Sequence, residues 1–224
     1  MKFVAIILLL LTSIFLIACS ANQASNKINN SELENLASKY GGVYIFNQKF
    51  VEEIEKREAE RKELSKTLGD KIRSNPRKIK QGDKFITIYD VDTTLIDKNL
   101  PKILSNGKKY YTTTRAYGND YGKQPELSKQ DRQKIINYIG TENYNKFKPT
   151  MLPSYFYVDE NKNVVAIAVS VYYVVGYTKY GLFGDEGRGF SLSRKDLKDI
   201  GGDNKIYLEK VRGDKWVKFQ QKSR

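Results

Sequence analysis

The chain has no histidine, and its only cysteine is Cys19. Without imidazole, Ser-His-Asp and Cys-His catalysis are excluded, and so are zinc sites built on histidine. Any chemistry must rest on carboxylates, hydroxyls, lysine, arginine or an oxygen-bound metal. A single cysteine leaves no internal disulfide, so the fold must rest on its apolar core. Long apolar runs are scarce as well. The run Val164–Val175 carries no charge, but it is too short to cross a bilayer as a helix, which needs about 20 residues.

The N-terminus begins Met1-Lys2 and continues as an apolar run, Phe3 to Ala18, that stops at Cys19. A short positive start and an apolar stretch ending in small residues is an export signal, to be set aside from fold reasoning. The residues Leu16-Ile17-Ala18-Cys19 resemble the lipobox of bacterial lipoprotein precursors. That resemblance implies cleavage before Cys19, acyl chains on the cysteine, and attachment to a membrane. Several chains make such anchoring stable where one alone is marginal. Ser20 in place of Asp implies outer-membrane sorting if the cell is Gram-negative. The expected organisation is a signal peptide over 1–18, a polar tether over 19–30, and one globular domain over 31–224.

The formal net charge is +13, with a pI near 9.5. A basic protein in a bacterial envelope is drawn to anionic lipid, anionic glycan or an acidic protein partner. An export signal carries it away from nucleic acid, which is therefore not expected as a partner.

Along the domain, Ser31 and Glu34 form a capping-box pattern for a short helix that Gly41-Gly42 should end. Val43–Phe46 reads as a short strand. Residues 48–68 give the clearest helix, with Glu52–Lys56, Glu53–Arg57 and Glu58–Lys62 spaced four apart in the favourable order. Its apolar positions are sparse, so much of it should be solvated. Phe85–Val91 reads as a strand, and residues 97–125 as loop or hairpin around Gly107, Gly118 and Gly122. Ser128 should cap a helix reaching Ile139, and Thr141 a further short turn. Tyr155–Val158 and Asn163–Tyr177 read as a hairpin, with a long central strand near 163–177 buried on both sides. Large residues (Val165, Ile167, Val169, Val171, Tyr173) alternate there with small ones (Ala166, Ala168, Ser170), and helices should pack over the small face. Ser193–Ile200 reads as a short helix, and Ile206–Arg212 with Lys215–Phe219 as a final hairpin. The fold class expected is α+β, with a mostly antiparallel sheet and three to four helices.

The sharpest motif is Phe85-Ile-Thr-Ile-Tyr-Asp90-Val-Asp92-Thr93-Thr94-Leu-Ile-Asp97. An apolar strand ending in Asp-x-Asp-x-Thr resembles the first motif of haloacid dehalogenase-like phosphohydrolases. The resemblance implies Asp90 as nucleophile, Asp92 as general acid/base, Thr94 in support and Mg²⁺ offsetting the negative charge. Thr113, Lys134 and Asp185-Glu186 would have to fill the remaining roles on a parallel sheet. Thr93 stands where the family usually has glycine. The other reading is a strand running into an Asp/Thr turn.

A second candidate is Lys108–Lys123, where Lys108, Lys109 and Arg115 interleave with Tyr110, Tyr111, Tyr117 and Tyr121. Cations beside aromatic faces suit sugars, anionic glycans or a protein partner; the alternative is an ordinary Tyr-rich hairpin. A third is Arg212-Gly213-Asp214, the integrin-ligand tripeptide, at a place where Gly-Asp already suits a tight turn. Together these features define a lipid-anchored envelope protein that binds rather than catalyses, without a cofactor. The rival is a Mg²⁺-dependent phosphohydrolase on Asp90 and Asp92.

Overall fold

A computed structural model describes residues 31–185, 189–209 and 215–219. The signal sequence, Cys19, the tether, Glu186 and the Arg212-Gly213-Asp214 turn lie outside the described residues. The architecture is α+β, with a mostly antiparallel sheet and a long strand at its centre.

Helix α1 covers residues 31–40 and stops at Gly41, whose N–H donates to the Ala37 carbonyl at 2.8 Å. Strand β1 (Gly42–Ile45) follows at once. It runs parallel to β8 (Asn204–Glu209) and antiparallel to β6 (Val164–Asp185). The approach to β8 requires glycine at position 42: φ is +138°, and a Cβ there would stand 2.2 Å from the Asn204 carbonyl oxygen.

Helix α2 (Gln48–Leu68) starts where the Asn47 side chain accepts the Phe50 N–H, and it ends at Gly69. Its ion pairs among the described residues fall three apart rather than four: Glu58–Arg61, Arg57–Glu60 and Glu63–Lys66. Strands β2 (Arg73–Gln81) and β3 (Lys84–Val91) pair only with each other. Next come α3 (Thr94–Asn99), β4 (Tyr110–Tyr111) and α4 (Thr114–Tyr121). The expectation of loop or hairpin over 97–125 is thus corrected. A small hairpin does close over 103–109, but two short helices flank it. Thr113 caps α4 by accepting the Ala116 N–H, and Gly122 closes it in the left-handed conformation.

Helix α5 (Lys129–Ile139) is capped by Ser128, and α6 (Thr141–Lys146) follows. Strand β5 (Thr150–Val158) forms the expected hairpin with β6. Asp159 organises its turn by accepting the Asn163 N–H at 2.8 Å. Six helices stand among the described residues, because α3, α4 and α6 are too short to show a full apolar period.

Strand β7 (Gly189–Gly201) overturns the helix expected at Ser193–Ile200. Leu197 and Ile200 give too thin an apolar stripe to hold a helix. Antiparallel pairing with Tyr173–Tyr180 of β6 satisfies the same backbone groups instead. Strand β9 (Lys215–Phe219) completes the last hairpin against β8.

The main sheet runs β4-β5-β6-β1-β8-β9, with β7 continuing along β6 beyond β1. Adjacent strand residues point to opposite faces, which splits the core in two. On one face Ile45 and Ala168 pack with Val51 and Ile54 of α2. On the other, Tyr44, Val169, Val171 and Ile206 pack with Ile135 and Ile139 of α5. Helix α1 covers Tyr173 on that second face through Leu33 and Ala37. Helices therefore cover both faces of β6, and a register break at Ile167 corrects the expected sorting of small from large residues: Ala166 packs with Val169 and Val171, and Ile167 with Ala168. Trp216 of β9 locks onto α5, its indole N–H donating to the Lys134 carbonyl at 3.1 Å while its ring meets Tyr44 and Phe46 edge-on.

Ile135 is fully buried, whereas Phe85 on the β2–β3 ribbon is 71% exposed. Ile135→Ala is expected to cost about 2–5 kcal/mol, and Phe85→Ala to stay within ~0.5 kcal/mol of the parent. Urea unfolding of the two variants measures the contrast.

Candidate functional site

Arg61 is the buried charged side chain among the described residues, 7% exposed. It lies on the inward stripe of α2, seven residues after Ile54 and ten after Val51, both buried. Its guanidinium donates to the Asp97 carboxylate at 2.5 Å and to the Leu100 carbonyl, and stands 3.6 Å from Glu58. Glu58 also accepts the Tyr110 hydroxyl at 2.7 Å and lies 3.4 Å from the Lys102 ammonium. One arginine therefore ties α2, α3 and the segment leading to β4 together. A buried guanidinium is tolerable because it is both paired and hydrogen-bonded.

This network forms one wall of a cleft of about 500 Å³. Thr93 and Asp97 come from the start of α3, Lys102 and Ile103 from the following segment, Lys109 to Thr112 from around β4, and Asn119 and Asp120 from α4. On the opposite wall Asp120 accepts the Tyr111 hydroxyl at 2.7 Å and pairs with Lys109 at 2.6 Å. The cleft thus brings together the end of the Asp/Thr motif and part of the Lys/Tyr motif.

Burial raises the Asp97 carboxyl, but hydrogen bonds from Arg61 and Thr93, with the nearby positive charge, outweigh it and leave the group below the ordinary aspartate range. The hydrogen bond from Lys109, and then that from Tyr111, lowers Asp120. The hydroxyls of Tyr110 and Tyr111 are pushed well above the usual tyrosine range, first by burial and then by their hydrogen bonds to Glu58 and Asp120. The carboxylates are held ionised and the phenols protonated, each against an internal partner. Such a wall can hydrogen-bond a small polar ligand; it presents neither an activated nucleophile nor a poised base.

The phosphohydrolase residues fall elsewhere. Asp90 sits on β3, an antiparallel strand of a two-stranded ribbon, where it pairs with Arg77 and accepts from Asn75 at 3.1 Å. Asp92 accepts the Thr94 N–H at 2.9 Å and the Thr94 hydroxyl at 2.6 Å, which makes it the turn that starts α3. Those two bonds lower its pKa. The central parallel strand that this chemistry needs is not formed here; β1 with β8 is the parallel pair among the described strands. Thr113 is the cap of α4, Lys134 lies on α5, and Asp185 ends β6. Among the described residues no three acidic side chains gather as a metal-binding group.

The Lys/Tyr motif is also rearranged. Tyr110, Tyr111 and Tyr117 are buried rather than displayed. Tyr111 stacks on Phe156 with centroids 5.3 Å apart, and Tyr117 stacks on Tyr121 at 4.6 Å. Pairing of β4 with β5 sends the two adjacent tyrosines to opposite faces, where each becomes core. Lys108 pairs with Glu160 at 3.1 Å, while Arg115 and Tyr121 face solvent. Sequence reasoning missed Arg61, Lys102 and Asp120. The spacing of Arg61 from Val51 and Ile54 is the signal that would have found it.

No family model matches the sequence, and no curated protein or solved structure matches it either.

Two outcomes follow from the network. Arg61→Gln is expected to lower stability by about 1–3 kcal/mol, the scale for lost hydrogen bonds to charged groups. It should also weaken the stability lost on acidification. Asp97 is lowered in the fold, so its contribution is present above the ordinary aspartate value and disappears as pH falls through the folded one. At the alkaline end the sign reverses. Tyr110 and Tyr111 hold their protons more tightly folded than unfolded, so stability is intact below pH ~10 and declines above it. Replacing both tyrosines by Phe should lessen that decline and leave the part due to Tyr44 and Tyr173, which burial also raises. Urea unfolding across the pH range reads both effects.

Proposed function

We propose that this protein is a lipid-anchored lipoprotein of the bacterial envelope whose work is to bind another envelope protein. The sequence supports the anchor through Leu16-Ile17-Ala18-Cys19 and the apolar run before it. With acyl chains on Cys19, the tether over residues 19–30 reaches at most about 40 Å from the membrane. In a Gram-negative cell, Ser20 favours the outer membrane as the anchoring site.

The observation that carries the binding reading is the far half of β6 and its partner β7. Strand β6 is flanked by β5 and β1 only as far as Tyr172 and Val171. From there to Asp185 its described partner is β7 alone. At a rise of about 3.4 Å per residue, this two-stranded ribbon extends some 40 Å. Near its tip Tyr180, Leu182, Phe190 and Leu192 are 72–82% exposed. The Phe190 ring lies across Gly184, where a Cβ would come within 2.6 Å of it. On the side chains behind the tip, Arg194 pairs with Asp196 and lies over the Phe183 ring.

Two-stranded ribbons are marginal in water, and clustered exposed apolar residues mark interaction surfaces. The ribbon also leaves strand edges open for pairing with another sheet. The cleft beside Arg61, with its charges internally matched, fits a binding role in the same way.

The test is co-purification from detergent-solubilised envelopes of full-length protein and of the variant Tyr180→Ser/Leu182→Ser/Phe190→Ser/Leu192→Ser. One stoichiometric protein partner surviving high salt with the parent, and lost with the variant, is the expected result. Equal recovery with both, or none with either, contradicts the reading.

A further inference from the structure

The β2–β3 ribbon differs from the β6–β7 ribbon in its charge. Over residues 73–91 it carries Arg73, Arg77, Lys78, Lys80 and Lys84 against Asp83 and Asp90. Asp90 is already paired with Arg77, and Arg73 faces Asp70 at 3.9 Å. Among the described residues Lys78, Lys80 and Lys84 have no carboxylate within ion-pair distance.

The register sorts this ribbon into two unlike faces. Lys80 stands opposite Phe85, and Lys78 opposite Thr87. Strand alternation adds Tyr89 and Val91 to that face. Phe85, Tyr89 and Val91 are 71%, 43% and 52% exposed. The other face carries the pair Ile79–Ile86 and the half-buried Ile88. The more exposed face is therefore the one that mixes aromatic side chains with unpaired lysines. Apolar groups beside uncompensated cations match an anionic lipid surface: the rings enter the headgroup layer while lysine stems lie along them and their ammonium groups meet phosphate.

The geometry points to this ribbon lying on an anionic bilayer, with Phe85 as its inserted anchor and Lys78 and Lys80, which share its face, at headgroup level. This rests on the reading that the chain is held at a membrane by Cys19, and it adds the orientation of the domain there. Each lysine contributes on the order of fivefold to affinity for such a surface. Charge reversal of Lys78 and Lys80 should therefore release the ribbon while the acyl anchor keeps the protein in place.

The experiment reconstitutes the full-length acylated chain carrying Phe85→Trp into vesicles of phosphatidylcholine alone, or of equal parts phosphatidylcholine and phosphatidylglycerol. Brominated phosphatidylcholine serves as quencher, and the parent chain corrects for Trp216, which packs against Tyr44 and Phe46. The expected result is a blue shift and loss of Trp emission only in the phosphatidylglycerol vesicles, abolished by adding Lys78→Glu/Lys80→Glu. No quenching above the parent in either vesicle, or equal quenching in both, overturns the proposal. Flotation of the same samples reads the anchor separately. A chain that floats with both vesicles but is not quenched refutes the ribbon contact alone. A chain that fails to float with phosphatidylcholine refutes the anchor.

Discussion

The backbone hydrogen bonds of β6 are divided between two environments, and the architecture depends on that division. From Ala168 to Tyr172 the strand is paired on both edges, by β5 on one side and by β1 and then β7 on the other. Val169, Val171 and Ala168 are buried there under helices on both faces. Beyond that point a single antiparallel neighbour remains; α1 still covers Tyr173, but from Gly176 onward side chains that would be core elsewhere face solvent. The buried half is where burial of apolar area stabilises the fold. The exposed half is held by ladder hydrogen bonds and cross-strand contacts, which are weak in isolation.

Several charged side chains are matched across elements: Arg61 with Asp97 and Glu58, Lys109 with Asp120, Lys108 with Glu160. Such pairs fix α2, α3, α4 and the β4 segment against one another without leaving a reactive group. The large exposed apolar residues concentrate on the two ribbons.

Much of the core was legible in the sequence. The uncharged run from Val164, the Asp159–Asn163 turn and the Ser128-capped helix all stand where periodicity and cap chemistry placed them. These segments carry their own local signals. The strand at Ser193–Ile200 did not, because its conformation is set by pairing with β6 and its own residues are mostly polar. The Lys/Tyr motif leaves a displayed surface and an ordinary hairpin equally open in sequence, because alternating tyrosines look alike whether an edge strand is bare or, like β4, covered by α4. Its pairing with Phe156 decides the matter, and that contact spans 45 residues. Asp90 and Asp92 followed a nucleophile pattern in sequence. Pairing of β3 with β2, rather than insertion into the main sheet, turns one into an ion pair and the other into a helix start.

Hydrogen–deuterium exchange of the same protein in envelope membranes and in detergent micelles tests the central claim most directly. Amides of residues 168–172 should exchange slowly in both settings, as the twice-paired core of the sheet. Amides of residues 73–91 and 176–198 should be protected in membranes and exchange quickly in micelles, because lipid and partner cover the ribbons only in the first. Equal, fast exchange of both ribbons in the two settings would contradict the account. So would equal, slow exchange, which would make the ribbons part of the stable fold rather than surfaces awaiting a partner.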